Sequence, residues 1–235
     1  MEIAAKDDLR RALAAKQTSP VCHRGFTTGS NVLDDIAPNG EFQGGAVHEL
    51  LWPRPSTFPT SLALLLAKAA QKNGGAIAWS DPKRELYLPA FSAAGIDLQH
   101  LILLRCTNRA DQLWALAECL RCRGVSATVA YIPRLNQIEA RRLQLAAERG
   151  GGVGIVMRSY TPGRSAPYAA ATRWLIQPAP GDEAVQRWSV ELLHGHGGQI
   201  GKVFLLEVDR ETHAMRASAT LADRPAAPAS DRATA

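Results

Sequence analysis

Residues 46–66, AVHELLWPRPSTFPTSLALLL, combine a buried-strand pattern, a short loop and the start of an apolar helix. In that setting, backbone N–H groups and a lysine can hold the phosphates of a nucleotide. The loop itself, Trp52-Pro53-Arg54-Pro55-Ser56-Thr57-Phe58-Pro59-Thr60-Ser61, has no glycine and no lysine. Glycines let successive N–H groups curl round an anion, whereas Pro53, Pro55 and Pro59 each remove a donor and fix φ. The frame of a phosphate site is present without its reactive part, which moves the expected chemistry from catalysis towards binding. Arg54, with a helix N-terminus at Thr60 or Ser61, offers an anion contact in place of the lysine. The competing reading is a solvated arginine on a rigid loop. Trp52 and Phe58 also carry two readings: exposed aromatics for a protein partner, or rings folded down to fill the site.

Other reactive side chains give less. Of the four cysteines, Cys119 and Cys122 have CxxC spacing, but they lie inside a helical pattern with no second CxxC, and Cys22-His23 is far off in sequence. A zinc site needs four ligands, so free thiols are expected and no metal is assigned. His194 and His196 sit in a glycine-rich stretch with only Glu191 and Glu207 nearby in sequence, which reads as a hairpin tip. Arg134, Arg141, Arg142, Arg149 and Arg164 are candidates for contact with a DNA backbone. Glu139 and Glu148 are interleaved among them, and a mixed-charge exterior helix face is the alternative.

The elements that must position these residues follow from hydrophobic periodicity. The chain has 235 residues, 46% hydrophobic, with a net charge of +5 and a pI near 9.2. That is enough for one substantial core, and the mild basicity suits nucleic acid or an acidic partner without requiring either. No apolar run reaches membrane-spanning length, and the acidic and basic N-terminus does not read as a signal peptide, so a cytoplasmic protein is expected. Helices are predicted over 2–16, 60–72, 85–94, 110–123 and 136–149. Apolar strands are predicted at 46–51, 76–80, 101–106, 127–132 and 153–158. Continuous apolar strands alternating with helices indicate a mainly parallel sheet flanked by helices. Strands at 172–177, 187–193, 203–209 and 215–221 read as an antiparallel extension. The organisation expected is an N-terminal helix and linker (1–24), an α/β domain (25–221) and a small, polar, proline-bearing tail (222–235) that reads as disordered. The stripe of Leu9 and Leu13 is either an arm for a partner or for a second copy, or it folds back on its own sheet.

The order of elements resembles the recombinase core of the RecA family. Thr28-Gly29-Ser30-Asn31-Val32-Leu33-Asp34 is similar to that family's T-G-S-x-x-L-D entry motif. Gly44-Gly45-Ala46-Val47-His48-Glu49-Leu50 is similar to its G-x-x-x-E strand into the phosphate loop, and 95–101 and 167–173 resemble later segments. The departures are informative. Where the family has G-K-T/S, this chain has Phe58-Pro59-Thr60-Ser61. The acid that activates water falls at Asp81, or equally at Lys83. The strand that should end in a magnesium-binding aspartate ends Tyr131-Ile132-Pro133. Phosphoryl transfer depends on positioning and charge stabilisation by those groups. The DNA-binding loops are shortened too, the second to 159–167 at most.

A RecA-like chain reduced in this way resembles the ImuA family of bacterial mutagenesis cassettes, and the glycine-rich segment 190–201 is similar to that family's hairpin. The resemblance implies a non-catalytic adaptor or regulator in SOS-induced, error-prone translesion synthesis, without a cofactor. Its implied partners are an ImuB-type Y-family polymerase homologue, RecA and an error-prone replicative-type polymerase, with weak, non-specific DNA binding and self-assembly through residues 1–20. It implies nucleoid association when partner-bound. The alternatives are a RecA-like ATPase with an atypical phosphate site built from Arg54, Ser56 and Thr60, and a SulA-type cell-division inhibitor.

Overall fold

In the computed structural model, residues 2–3, 5–16, 25–53, 60–71, 74–161, 169–212 and 215–221 are described. The runs Val47–Pro53 (β2), Ala76–Ser80 (β3), Leu101–Leu104 (β4), Val125–Tyr131 (β5) and Val153–Tyr160 (β6) are apolar without alternation over most of their length. Strands of that kind must be covered on both faces. They are joined by Thr60–Gln71 (α3), Leu88–Ala93 (α4), Arg109–Arg121 (α5) and Gln137–Gly150 (α6). Asn31–Ile36 (α2) precedes them. Beyond β6 come Thr172–Ala179 (β7), Val185–Gly195 (β8), Val203–Asp209 (β9) and Met215–Leu221 (β10). At the other end of the chain, Glu2–Ile3 (β1) and Lys6–Lys16 (α1) open the fold.

All ten strands form one sheet in the order β1-β4-β3-β5-β6-β2-β7-β8-β9-β10. It is parallel from β1 through β7 and antiparallel from β7 through β10. This is the expected α/β class, a mainly parallel sheet with an antiparallel C-terminal extension. Two cores lie on opposite faces. One joins α2, α3 and α4 to Leu50, Trp52, Ile77, Trp79 and the inner face of β7–β9. The other joins α1, α5 and α6 to Val47, Ala78, Ile102 and Val156. In β9 buried and half-buried residues alternate strictly, so the extension is packed on one face.

Two local departures from the sequence expectation, and the outcome of one open reading, have physical causes. The predicted helix 2–16 is split into β1 and α1, because Glu2 and Ile3 pair with Leu103 and Leu104 and extend the sheet. Asp7 and Asp8 then fall in the first turn of α1, where carboxylates suit the helix dipole. The predicted helix 85–94 is shortened to α4, which carries proline in its first turn, because the Asp81 carboxylate accepts the backbone N–H groups of Glu85 (2.9 Å) and Leu86 (3.2 Å) and holds them outside a helix. Of the two readings of Leu9 and Leu13, the partner contact is corrected: they are 1% and 6% exposed and fold back into the chain's own second core. Their apolar area is buried in the core shared with α5, and in this conformation they offer a partner little surface. The tail lies outside the described residues.

Candidate functional site

The entry motif is structural. Thr28 donates to Asp34 Oδ1 through both its N–H and its hydroxyl, each at 2.8 Å, and Gly29 N–H donates to Oδ2 at 3.1 Å. Asp34 thus ties the incoming loop to α2. Gly29 has φ +82°, a left-handed conformation that costs glycine nothing. The motif's Leu33 is fully buried beside it.

In β2, alternate side chains serve opposite faces. His48 is buried and neutral. Its Nε2 lies 3.0 Å from the Gln43 carbonyl, which can only accept, so Nε2 carries the proton and Nδ1 accepts the Thr172 hydroxyl at 2.7 Å. Thr172 Oγ1 in turn accepts the Trp174 indole N–H at 2.8 Å. Burial pulls the His48 pKa down to about 4, partly opposed by the Gln43 hydrogen bond. Glu49, on the other face, is almost fully buried between two arginines. Arg158 from β6 reaches one oxygen at 2.7 Å and Arg173 from β7 the other at 3.0 Å. Nothing in the spacing of these three residues signals the triad, because sheet register brings them together. The one available signal is a glutamate inside an apolar strand, which must find a cation.

At the C-terminal end of β2, the strand runs straight into the segment expected to cradle phosphate. Trp52 is 3% exposed, its ring centroid 5.3 Å from that of Tyr131 at the end of β5. Of its two sequence readings, folding down is the one adopted, and the exposed partner contact is corrected for this residue. Arg54, Pro55, Ser56, Thr57, Phe58 and Pro59 lie outside the described residues, as does Arg164. Thr60 and Ser61, at the start of α3, border a cavity of about 280 Å³ with Tyr87, Phe91 and Val208. Among the described residues the one charged side chain lining it is Glu85, which repels a phosphate.

Asp81 is committed elsewhere. It is buried, ion-paired with Arg105, and its two oxygens also hold the turn before α4. Lys83, the alternative at that position, is exposed and 3.8 Å from Glu85. Among the described residues no lysine lines the cavity, β5 ends in Tyr131, and Asp81 is paired with Arg105.

The cysteines are unsuited to reactivity. Cys119 and Cys122 are buried and unlinked, and burial pushes both thiols above the usual range. Reactive cysteines need the opposite shift. Cys22 is outside the described residues. No group of histidine, cysteine and carboxylate side chains suited to a metal occurs among the described residues. The rings of His194 and His196 meet edge-on at 5.5 Å, at the turn between β8 and β9.

The arginines have a different fate. Helix α6 is fixed at its start by a capping box, with Asn136 accepting from Glu139 N–H at 2.9 Å and Glu139 accepting from Asn136 N–H at 3.0 Å. Its other end lies hard against α5: a Cβ on Gly150 would come within 1.9 Å of the Leu120 carbonyl oxygen. Ala140, Leu143, Ala146 and Ala147 face the core. Outside, Arg141, Arg142 and Arg149 line a groove of about 640 Å³ with Arg121 of α5, Gln137, Ile138, Leu145, Ala146 and Ala169. Arg134 is exposed just before the helix. Sequence reading found Arg134, Arg141, Arg142 and Arg149 but missed Arg121, and it missed Ile138 and Leu145 since an apolar residue in an amphipathic helix is assigned to the core by default.

No family model matches the chain. Protein ImuA of Caulobacter vibrioides is 30% identical over 226 residues, covering 86% of this chain and 91% of that protein. Cell division inhibitor SulA of Yersinia pestis is 25% identical over 136 residues, covering 58% of this chain and 79% of that one. Among solved structures, the crystal structure of the RadB recombinase aligns with a TM-score of 0.62 at 14% identity, over 81% of this chain and 98% of that chain, a likeness of fold. With the first of these relatives matched along nearly its whole length, the chain belongs to the ImuA family.

Proposed function

We propose that this RecA-like chain is a non-catalytic adaptor in SOS-induced, error-prone translesion DNA synthesis, acting in the cytoplasm and at the nucleoid when assembled. Its partners in this reading are an ImuB-type Y-family polymerase homologue, with RecA and an error-prone replicative-type polymerase as further members, and DNA held weakly through phosphate contacts alone. The observation that carries the reading is the closed strand end. Trp52 packs on Tyr131 where a nucleotide-binding relative would begin its phosphate loop and hold its metal. The neutralised Asp81 and the acidic Glu85 beside the α3 N-terminus support it. Family membership supports the setting, and nearly full coverage of the ImuA relative favours it over cell-division inhibition, since the SulA match spans a shorter part of the chain.

Calorimetric titration of the full chain with Mg-ATP tests this directly. No heat of binding is expected. Micromolar affinity accompanied by release of inorganic phosphate would overturn the adaptor reading in favour of an atypical ATPase.

A further inference from the structure

Helix α6 carries two stripes. The inner one is buried. The outer one runs Ile138, Arg142, Leu145, Arg149, at spacings of four, three and four residues that keep all of them on one face. Ile138 is 82% exposed and Leu145 36%, the former among the most exposed large apolar side chains of the described residues. Arg142 and Arg149 make no ion pair with any described residue, while the neighbouring Arg141 shares Glu148 at 3.7 Å. An isolated exposed isoleucine needs no explanation. One set in a groove, in register with a second apolar residue and two uncompensated cations, defines a surface with a chemical preference.

We propose that this outer face of α6 is a docking groove for an acidic amphipathic helix of a partner protein, an assignment that rests on the adaptor reading above. The partner's apolar stripe covers Ile138 and Leu145, and its flanking carboxylates meet Arg142 and Arg149. From residue 137 to residue 149 the groove extends roughly 18 Å at 1.5 Å per residue, about three turns of a facing helix. Charge complementarity selects the occupant. A second copy would set like charges against one another across a twofold axis. A DNA backbone would gain nothing from the apolar residues standing between the arginines, and among the described residues no aromatic ring lines the groove on which a base would stack.

Fluorescence anisotropy of the full chain tests the assignment. The probe is a labelled synthetic helix of about 20 residues with leucines on one face and glutamates flanking them, compared with the same helix carrying lysines and with a single-stranded oligonucleotide. The acidic helix is expected to bind with micromolar Kd and the lysine version not at all. Ile138→Asp should weaken binding about tenfold or more at both low and high salt. The Arg142→Glu/Arg149→Glu double variant should weaken it mainly at low salt, since exposed charges are screened. Both variants alter exposed positions, and unchanged circular dichroism and urea midpoints establish that they fold. Failure of the acidic helix to bind, indifference of its binding to both variants, or tighter binding of the oligonucleotide with sensitivity to the arginines alone would each overturn the proposal. Nucleotide titration does not depend on this face, so a groove that takes no helix leaves the adaptor reading standing.

Discussion

The end of β2 and the outer face of α6 are the two places where the sequence concentrates unusual residues, and they have opposite physical character. In and around β2 the described groups are engaged within the chain: Trp52 lies on Tyr131, Asp81 is paired with Arg105, and Glu49, inside the strand, is held by Arg158 and Arg173. On α6 the corresponding groups are left open, with Ile138 in solvent and Arg142 and Arg149 without counter-charges among the described residues. A site kept for small-molecule chemistry would show the reverse, a preorganised polar cavity at the strand ends and a bland helix exterior. Among the described residues of these two places, the groups left without an internal contact lie on the helix exterior, where the docking groove is proposed.

Three measurements bear on that contrast. The largest effect is expected from Trp52→Ala, which removes a buried ring from the strand end and should cost about 3–5 kcal/mol in urea denaturation. A loss below about 1 kcal/mol would mean that the strand end is no part of the core and would dissolve the contrast. Next comes pH. The folded chain holds His48 neutral down to about 4, whereas the unfolded chain takes up a proton near the ordinary value of 6.5, so unfolding binds a proton between those limits. Stability is full above pH 6.5 and should fall by up to roughly 3 kcal/mol as pH drops to 4. His194, lowered first by burial and then by His196, adds in the same direction. Denaturation midpoints that stay flat across this range would show that His48 is not closed off from solvent. The smallest effect is expected on α6, where Arg142→Ala and Arg149→Ala should each leave stability within about 0.5 kcal/mol. A larger loss would turn the groove into a part of the folding core and sharpen the comparison against the docking assignment.

How far the sequence reveals this molecule depends on how local the governing interaction is. The RecA-like α/β fold was legible because continuous apolar strands such as 76–80 and alternating ones such as 203–209 report, residue by residue, how many faces are covered. The positions of the entry motif and the strand end were legible for the same reason. The burial of Trp52 was not, since an aromatic beside prolines suits a surface as well as a core, and Tyr131 meets it from a strand nearly eighty residues later. The Glu49 triad depends on register between β6, β2 and β7. Ile138 misleads because side-chain type argues for burial while its helical phase, set by the capping box at Asn136, turns it outward.

The shortest strand has a consequence for how copies of this chain can meet. Glu2 and Ile3 occupy the backbone of Leu103 and Leu104, and the Arg105 N–H donates to the Ile3 carbonyl at 2.8 Å. Glu2 then clasps Arg84 at 2.9 Å and Arg105 at 3.3 Å, locking the arm over the edge. Among the described residues, the parallel margin of the sheet is therefore a strand of two residues. With only two residues, β1 offers a neighbour very little unpaired backbone, so among the described residues that side of the sheet gives an incoming strand a short template and a charged one.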